Sequence, residues 1–315
     1  MLAILGLKNG RINSYDDAMD YMLSIGMTEK EIKNYRYRFH AYGPGHFAII
    51  KLGGESIRDS LDYITTALTC LYHLKNTPVV LHGAGPQIDD EYTDAGISPK
   101  KIHGLRATPK NELQMVLEGY KKANQMLVNE LENKGAGVEN FAPGRIFGAT
   151  RMHCDDGDLG CVGKIVSVNS DTIYQAIIGG GRDWKMPVLM TIGYEVNRDG
   201  RLTRRMLNIN ADHGVVALYP QMLPGKVIFV AEIGGIYRDR ARTDLISRTN
   251  LRELEELDAS GVADGGMGVK VGSVREILRA SREYGRDVSI AVCKPRDLLP
   301  ELYTDAGCGT CITYE

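Results

Sequence analysis

Two short turns rich in glycine each follow an apolar run, and the first of them has a lysine beside it. In "KLGGES", Lys51 lies near the end of the run, and Gly53 and Gly54 follow it; in "VVLHGAGPQIDDEY", Gly83 and Gly85 separate the apolar residues from the charged ones. Glycines let backbone amides approach a ligand closely, and a helix start adds partial positive charge. Two such turns at one edge of a sheet would form a phosphate cradle, with Lys51 as a point charge on the transferred group.

Either turn alone also fits a tight connection in an ordinary α/β protein. "GAGPQI" lacks the third glycine of the dinucleotide-binding fingerprint, and the chain has no GKS or GKT segment for a Walker loop. The phosphate interpretation therefore depends on further residues at the same edge.

Three further stretches supply polar side chains of the appropriate kinds. "GLRAT" contains Arg106, whose guanidinium could bind a carboxylate with two hydrogen bonds. "LNINAD" contains Asn208, Asn210 and Asp212 in one short run, and "DGGMGVKV" places Lys270 after a flexible glycine turn. A lone residue of any of these types usually lies on the surface. The two glycine turns and these three stretches, all at strand ends of one sheet, are harder to explain as five unrelated surface segments.

Strands and helices alternate from His46 onward. Apolar runs of strand length are "HFAIIKLGG", "TPVVLHGAG", "MPVLMTIG", "KVIFVAEIGG" and "VSIAV". Helical segments between and around them include "SIRDSLDYITTALTCLYHL", "KNELQMVLEGYKKANQMLVNELENKG" and "VGSVREILRASREYG". This alternation predicts the α/β class, a three-layer αβα sandwich with a mostly parallel central sheet. Ligands of such sheets gather at the carboxyl ends of the strands, where both glycine turns fall.

Residues 1–45 form a separate helical extension in this interpretation. Ser14 can cap a first helix that Gly26 ends, and "TEKE" (28–31) is a capping box that opens a second helix. "YGPG" (42–45) then breaks the chain. A pair of helices this small cannot bury its own apolar face, so it must pack on the main body or on another subunit.

Composition excludes several classes of protein. With 315 residues and a formal net charge of −2, the chain has no basic excess for nucleic acid or an anionic membrane. No apolar run reaches the roughly 18 residues of a membrane helix. Six cysteines at mixed spacings suggest no disulfide framework, so a reducing, cytoplasmic setting is expected. Cys308 and Cys311 in "CGTC" have the spacing of a redox pair or of half a zinc site. A zinc site needs a second pair, which the sequence lacks, so two small residues of a terminal strand are favoured.

Eight segments together resemble the amino acid kinase family, and within it the N-acetylglutamate kinases. In family order they are "KLGG", "HGAGPQID", "GLRAT", "GDLGCVGKIVSVN", "LNINAD", "VAEIGGIYRD", "GGMGVK" and "GCGT". The sequence is most similar to the kinase half of bifunctional acetylglutamate synthase/kinases. Those proteins share the two-helix extension, HGAG where most kinases have HGGG, and the "ELYTDAGCGT" ending; their acetyltransferase module lies outside the resemblance.

The resemblance implies a role for each matching residue. Lys51 and Lys270 would neutralise the transferring phosphoryl group, and Asp212 would hold both lysines. Arg106 and Asn208 would bind N-acetyl-L-glutamate, the arginine on its α-carboxylate, under a lid formed by the hairpin-like segment 145–169. The backbone amides of Gly53, Gly54, Gly83 and Gly85 would donate to the phosphates, and Ala84 and Gly85 would also contact the substrate. The nucleotide would be framed by Glu232, Gly234, Gly235, Tyr237 and Lys270. The resemblance also implies two lobes. The N-terminal lobe, residues 46–223, would bind acetylglutamate and phosphate, and the C-terminal lobe, residues 224–315, would bind the nucleotide.

The implied reaction is the ATP-dependent phosphorylation of the γ-carboxylate of N-acetyl-L-glutamate in arginine biosynthesis. The acceptor is already ionised near neutral pH, so no general base is required, and two lysines with backbone amides suit the chemistry. Mg²⁺ would accompany ATP, held mainly by phosphates and water, and no metal site built from protein ligands is expected. The alternative is a non-catalytic arginine-sensing domain of an acetylglutamate synthase, which would not need the full set of phosphoryl-transfer residues.

The resemblance also implies regulation by L-arginine. Arginine-inhibited family members have an N-terminal helix that links dimers, and their C-terminal end supplies a glutamate and backbone carbonyls to the inhibitor. Here "ELYTDAGCGT" offers Glu301 and Gly307 at matching spacing, and the helices of residues 14–40 offer an apolar side with no partner of its own. We therefore expect a homo-tetramer or homo-hexamer with L-arginine bound near Glu301. The alternative is that these helices only assemble the oligomer.

Overall fold

The computed structural model describes residues 11–43, 45–179, 184–239, 241–259, 265–304 and 307–315. The strands in these ranges are β1 (Ala48–Leu52), β2 (Val79–His82), β3 (Lys101–Ile102), β4 (Leu105–Arg106), β5 (Val138–Asn140), β6 (Phe147–Arg151), β7 (Gly163–Val168), β8 (Met186–Met190), β9 (Ile192–Val196), β10 (Leu202–Asn208), β11 (Lys226–Val230), β12 (Arg248–Asn250), β13 (Ser289–Cys293) and β14 (Thr310–Thr313). The helices are α1 (Tyr15–Ser24), α2 (Glu29–Ala41), α3 (Gly54–Asp59), α4 (Leu61–His73), α5 (Gly85–Asp94), α6 (Leu113–Lys134), α7 (Ser170–Ile178), α8 (Ala211–Met222), α9 (Leu251–Ala259), α10 (Gly265–Glu283) and α11 (Leu298–Tyr303).

An eight-stranded sheet forms the centre of the fold, in the order β12-β14-β13-β11-β1-β2-β8-β5. Neighbouring strands run parallel except β13 and β14. The predicted α/β class with a mostly parallel sheet is therefore confirmed. Leu52 at the end of β1 lies opposite His82 of β2 and Val230 of β11, so three strands end at one edge. The sheet continues across the predicted lobe boundary between residues 223 and 224, because β1 pairs with β11.

Helices cover both faces of this sheet, as a three-layer sandwich requires. Successive residues of a strand point to opposite faces. Accordingly, Ile50 of β1 belongs to a core shared with α4 and α6, whereas Ile49 belongs to a core shared with α8 and α10. Both isoleucines are fully buried.

The N-terminal helices pack on the body of the same chain. Ser14 caps α1, and the capping box of Thr28 and Glu31 opens α2, as predicted. Met22 of α1 and Phe39 of α2 are buried in the core that contains α4 and α11. Of the two expected partners for the apolar side of these helices, the main body and another subunit, the structure shows the main body of the same chain.

One segment that was predicted as a single helix folds as two. Ser60 adopts a non-helical backbone conformation (φ −137°, ψ 28°) that ends α3 and begins α4. The short α3 then packs against α4, α5 and α6 at the edge where β1 ends. Because of this break, the first glycine turn is followed by a separate short helix, α3, which begins at Gly54.

A second sheet has four strands in the order β10-β9-β6-β7, and β9 begins at Ile192, directly after the carboxyl end of β8 in the first sheet. Strands β6 and β7 pair antiparallel, which confirms the hairpin expected from segment 145–169. The sequence analysis did not anticipate that β9 and β10 complete this sheet.

Two sequence expectations outside the site can also be compared with the structure. No helix in the described part of the chain is both long and apolar enough to cross a membrane. All six cysteines are free thiols; Cys311 lies in strand β14, whereas Cys308 precedes it and is exposed.

Candidate active site

Two glycine turns lie side by side at the carboxyl edge of the sheet, as predicted. Helices α3 and α5 begin at Gly54 and Gly85, directly after β1 and β2. The turns are so close that a Cβ atom on Gly54 would lie 2.7 Å from the backbone nitrogen of Gly85. The close approach of two backbones therefore requires glycine at position 54, whose φ angle any residue could adopt.

The backbone amides of the two glycine turns are not all available to a ligand, contrary to the expectation from the sequence. The amide of Gly53 donates to the carbonyl of Val230 (3.1 Å), and that of Gly83 donates to the carbonyl of Leu52 (3.0 Å). Gly53 and Gly83 thus hold the turns to the sheet, and their amides, which were expected to donate to phosphate, donate to carbonyl groups of the sheet instead. The first amides of a helix have no partner within the helix and bear partial positive charge. Gly54, Ala84 and Gly85, at the starts of α3 and α5, line the cleft.

Two lysines converge on one buried carboxylate. The Nζ of Lys51 lies 2.8 Å from Oδ1 of Asp212, and the Nζ of Lys270 lies 3.6 Å from the same oxygen. All three side chains are about a tenth exposed or less. The structure therefore brings together the three predicted catalytic residues, in the arrangement in which the carboxylate holds both ammonium groups.

Electrostatics keep this cluster charged near neutral pH. Burial raises the pKa of Asp212, but Lys270 and Lys51 outweigh that effect and lower its pKa to about 2. Burial lowers the pKa of Lys270 to about 8, although Asp212 opposes the shift. The result is one carboxylate between two ammonium groups, a centre with excess positive charge beside the glycine turns.

Local structure explains why these side chains meet. Asn210 caps α8 by accepting from the amides of Asp212 (2.8 Å) and His213 (3.4 Å), which fixes Asp212 in the first turn. Helix α10 packs on α8 and supplies Lys270, whose Nζ also lies 4.9 Å from the ring centroid of Phe229. Lys270 was expected after a flexible glycine turn. It lies within α10 instead, because that helix begins at Gly265.

Arg106 lies across the cleft from this cluster, on strand β4. Its Nη2 donates to the carboxylate of Asp89 and, at 3.4 Å, to the carbonyl of Gly85. Its guanidinium carbon lies 5.3 Å from the ring centroid of Tyr92, whose hydroxyl donates to Glu112 (2.8 Å). The Arg106 side chain is only 9% exposed, so its planar guanidinium group is oriented before any ligand binds.

Asn208 connects the cleft to the β6–β7 hairpin. It ends β10, its amide donates to the carbonyl of Cys161 (2.8 Å), and its side-chain Nδ2 donates to the hydroxyl of Thr108 (3.0 Å). Val162, directly before β7, pairs with Asn208 and lines the same cleft. The hairpin segment thus forms one wall of the site.

The cleft has a volume of about 230 Å³. The charged side chains that line it are Lys51, Lys101, Arg106 and Asp212, so cations exceed carboxylates and an anionic ligand is favoured. Tyr120 also lines it and forms a hydrogen bond with Thr191 (2.6 Å).

Three residues that support the site were not assigned from the sequence. Asp89 and Thr108 lie inside the quoted segments "HGAGPQID" and "GLRAT", but only the folded chain shows that they hold Arg106 and Asn208. Tyr120 lies on α6, and in the sequence it cannot be distinguished from the core residues that recur there at helical spacing. No sequence signal marked it.

The predicted nucleotide residues follow β11, at the same edge as the glycine turns. The side chain of Lys294 covers Gly234, and Tyr237 donates from its hydroxyl to the carbonyl of Ile233 (3.1 Å). Glu232 has a buried carboxylate oxygen without a hydrogen-bond partner among the described residues. Gly235 lies against Leu245. Their proximity to β1 follows from the pairing of β1 with β11.

His82 has structural contacts, as expected. Its ring is fully buried and lies 3.1 Å from the carbonyl of Gly83 and 3.2 Å from the side chain of Asn124. Burial lowers its pKa, and burial likewise lowers the pKa of His213. Both imidazoles are therefore neutral near pH 7.

The two residues expected to bind arginine lie close together. Oε2 of Glu301 accepts from the amides of Cys308 (2.9 Å) and Gly309 (3.1 Å), and Gly307 adopts a left-handed conformation (φ +57°) beside the same carboxylate. Glu301 lies on α11, and Tyr303 of this helix packs edge-on against Phe39 of α2 with ring centroids 5.2 Å apart. The C-terminal end is thus in direct contact with the N-terminal extension.

A sequence profile described as the amino acid kinase family matches residues 46–290. The chain belongs to the amino acid kinase family. An acetylglutamate kinase from Xanthomonas campestris pv. campestris is 33% identical over 284 residues, which cover 90% of this chain and 62% of that protein. An acetylglutamate kinase from Caldicellulosiruptor saccharolyticus is 30% identical over 281 residues, which cover 85% of this chain and 90% of that protein.

Two solved structures of other proteins share the fold. N-acetylglutamate synthase from Neisseria gonorrhoeae, complexed with coenzyme A and L-arginine, superposes with a TM-score of 0.75 at 17% identity over 91% of this chain and 64% of that one. Carbamate kinase from Giardia lamblia, bound to AMP-PNP, superposes with a TM-score of 0.59 at 14% identity over 85% of this chain and 98% of that one.

Proposed function

We propose that the protein transfers the γ-phosphoryl group of ATP to the γ-carboxylate of N-acetyl-L-glutamate, a step of arginine biosynthesis. The observation that carries this proposal is the pair of lysines on Asp212, placed beside two helix starts and across a small cleft from Arg106. The names of the two acetylglutamate kinase relatives support the choice of substrate.

The arrangement suits a direct displacement at phosphorus. A γ-carboxylate oxygen forms the new bond to phosphorus while the bond to the β-phosphate oxygen breaks, and ADP leaves with that electron pair. No proton is transferred, which fits the lowered pKa that burial gives to both His82 and His213. Charge on the equatorial oxygens would be stabilised by Lys51, Lys270 and the amides of the two turns.

The nucleotide would lie along the carboxyl edge from the glycine turns toward Glu232, Gly234, Gly235 and Tyr237. The AMP-PNP complex of the carbamate kinase neighbour supports ATP as donor. Among the described cleft residues the only carboxylate is that of Asp212, and two lysines already engage it. Mg²⁺ would therefore be held mainly by phosphate oxygens and water, and would neutralise charge on the nucleotide.

N-acetyl-L-glutamate would occupy the space between Arg106 and the lysine cluster. The volume of about 230 Å³ is below the roughly 300 Å³ lower limit of pockets for drug-sized ligands, so it suits a small acid. Arg106 would bind the α-carboxylate. Asn208 donates from Nδ2 to Thr108, so its Oδ1 would accept from the acetamido N–H of the substrate.

Arg106→Lys should raise the Kd for N-acetylglutamate by about tenfold or more, because a point charge cannot reproduce two parallel hydrogen bonds. The Kd for ATP should change by less than about twofold. Calorimetry measures both, with Arg279→Lys on the exposed side of α10 as the matched control. Equal acetylglutamate affinity in Arg106→Lys and the parent, or a loss confined to ATP, would contradict the assigned role.

A non-catalytic arginine-sensing domain is the second candidate, and the fold similarity to the synthase complexed with L-arginine favours it over unrelated binding functions. The retained lysine pair supports the kinase instead. An ADP-release assay with N-acetylglutamate, glutamate and aspartate separates the two. A sensor would release no ADP with any of them, whereas the proposed kinase requires the acetylated acid.

We also propose regulation by L-arginine at Glu301. In Glu301→Gln the amide oxygen can still accept from Cys308 and Gly309, so the turn should persist while the charge that would bind a guanidinium is lost. The arginine concentration for half-inhibition should rise about tenfold or more, as loss of a charge-assisted hydrogen bond predicts. Glu283→Gln, at an exposed position of α10, is the control. Identical inhibition curves for all three proteins would remove the proposal.

The proposed homo-tetramer or homo-hexamer needs a surface other than the covered side of α1 and α2. Their outer side retains Tyr37, which is 80% exposed, and Leu23. Deleting residues 1–40 would uncover core residues such as Met22 and Phe39, so it would test stability as much as assembly. Sedimentation velocity of the full chain tests the proposal directly, and a monomer or dimer would exclude it.

A further inference from the structure

Outside the cleft, three side chains that can bind metals converge where two hairpins meet. His103 lies in the two-residue turn between β3 and β4, and Cys154 and Asp156 lie between β6 and β7. One ligand atom from each lies within 4.8 Å of the other two. Within the described ranges, this is the only group of three histidine, cysteine or acidic residues with such spacing.

The backbone places these residues. His103 and Gly104 both have positive φ (+47° and +77°), the requirement of a tight two-residue hairpin turn. The Nε2 of His103 lies 2.5 Å from Oδ2 of Asp156. Beneath them, Cys154 packs on a small apolar cluster formed by Ile102, Leu105, Ala107, Leu159 and Val162, which joins both hairpins. The convergence is therefore built into the packing of the hairpins.

We propose that His103, Cys154 and Asp156 form a site for a zinc-like divalent transition metal. Imidazole nitrogen, thiolate sulfur and carboxylate oxygen are all common zinc ligands, and three protein ligands with one open position are a known arrangement. The hard ions Mg²⁺ and Ca²⁺ prefer oxygen ligands and should bind poorly. Binding would release the thiol proton of Cys154 to solvent as the sulfur–metal bond forms.

The ligand atoms need only modest movement. Tetrahedral zinc separates its ligand atoms by about 3.5 Å, and the side chains of His103 and Asp156 are 67% and 69% exposed, so both are free to adjust. The bound metal would tie the β3–β4 hairpin, which contains Arg106, to the β6–β7 hairpin, which contains Val162 of the cleft wall. If the proposed kinase function holds, this tie should restrict substrate exchange and inhibit the enzyme.

Titration with Co²⁺ under a non-thiol reductant tests the site without any assay of activity. We expect one equivalent of Co²⁺ to produce a thiolate charge-transfer band and intense visible bands of a tetrahedral ion, and one equivalent of Zn²⁺ to abolish them. Cys154→Ser should lose the charge-transfer band. Cys308→Ser, a change at another free and exposed cysteine, should retain it. Absence of the band in the parent, its persistence in Cys154→Ser, or its loss in Cys308→Ser would overturn the proposal.

His103→Asn is the second variant, because Asn–Gly suits this turn and keeps the positive φ while removing the imidazole. We expect its Kd for Co²⁺ to rise at least about tenfold, with a far-UV circular dichroism spectrum equal to that of the parent. The Zn²⁺ concentration that half-inhibits ADP release should rise by a similar factor. An unchanged Co²⁺ affinity would contradict the metal site, and unchanged Zn²⁺ inhibition despite weakened Co²⁺ binding would contradict the tie between the hairpins. A failure of the kinase proposal would leave the Co²⁺ result intact.

Discussion

Replacing Lys51 or Lys270 with alanine should lower kcat by about two orders of magnitude or more, with the fold intact. Each lysine places a buried ammonium group on Asp212, at 2.8 and 3.6 Å, beside the amides of the glycine turns. Groups that are positioned before the reaction stabilise transition-state charge without reorganisation, so their loss reduces kcat more than binding. Steady-state ADP release with N-acetylglutamate, at saturating ATP, measures the effect.

Lys134→Ala is the matched control for loss of a buried lysine. Lys134 lies at the far end of α6, is as buried as Lys270, and pairs with Asp62 at 2.7 Å. Its loss should lower thermal stability but leave kcat within about twofold, because no reacting group is near. If Lys51→Ala and Lys270→Ala both turned over at the parental rate, the lysine pair would have no role in phosphoryl transfer.

The same cluster predicts a pH dependence. Burial lowers the pKa of Lys270 to about 8, with Asp212 opposing the shift. The ammonium form is the useful one, so kcat/KM, which reports the free enzyme, should fall as the pH rises through about 8. Lys270→Arg retains a positive charge over this range and should lose the alkaline decline even if its rate is lower. A decline at the same pH in that variant would assign it to another group.

Much of the site was readable from the sequence because its residues lie at strand ends. In a parallel sheet all carboxyl ends meet at one edge, so "KLGG" and "HGAG" could be placed together once both were recognised as strand endings. Asn210 was noted in the sequence only as a polar residue, and the structure shows that it caps α8. Asp212 then falls in the first turn, as the structure shows.

What the sequence could not supply were distances between segments far apart in the chain. Asp89 and Arg106 are 17 positions apart and Asn208 and Thr108 are 100 apart, so neither pairing leaves a local pattern. The apolar side of the N-terminal helices could equally have faced another subunit, and only the packing of Phe39 on Tyr303 places it within the chain. The split at Ser60 likewise depends on how α3 packs at the sheet edge, because the apolar period continues through it.

Gly54→Ala should lower kcat/KM for ATP by about a hundredfold or more, although it adds only one methyl group. The new Cβ would lie 2.7 Å from the Gly85 nitrogen and 2.9 Å from both Pro86 Cδ and Gln87 Oε1, so the two turns must separate. The φ angle of Gly54 suits alanine, and backbone strain therefore makes no contribution. A displacement of about 1 Å in a site that acts by positioning can cost a hundredfold in rate. Initial rates across an ATP series measure the loss.

Gly83→Ala is the matched comparison in the neighbouring turn. The same methyl group there would have Ala211 Cβ as its nearest neighbour, at an ordinary 3.6 Å, and Gly83 has no positive φ. Its amide already donates to Leu52 within the sheet and is not counted among the phosphate ligands. Its kcat/KM should therefore fall by less than about tenfold, a loss in the range of a small local adjustment. Equal losses in both variants would mean that added volume anywhere near the edge disturbs catalysis. Only a large loss specific to Gly54→Ala is consistent with a cradle formed by the contact between the two turns.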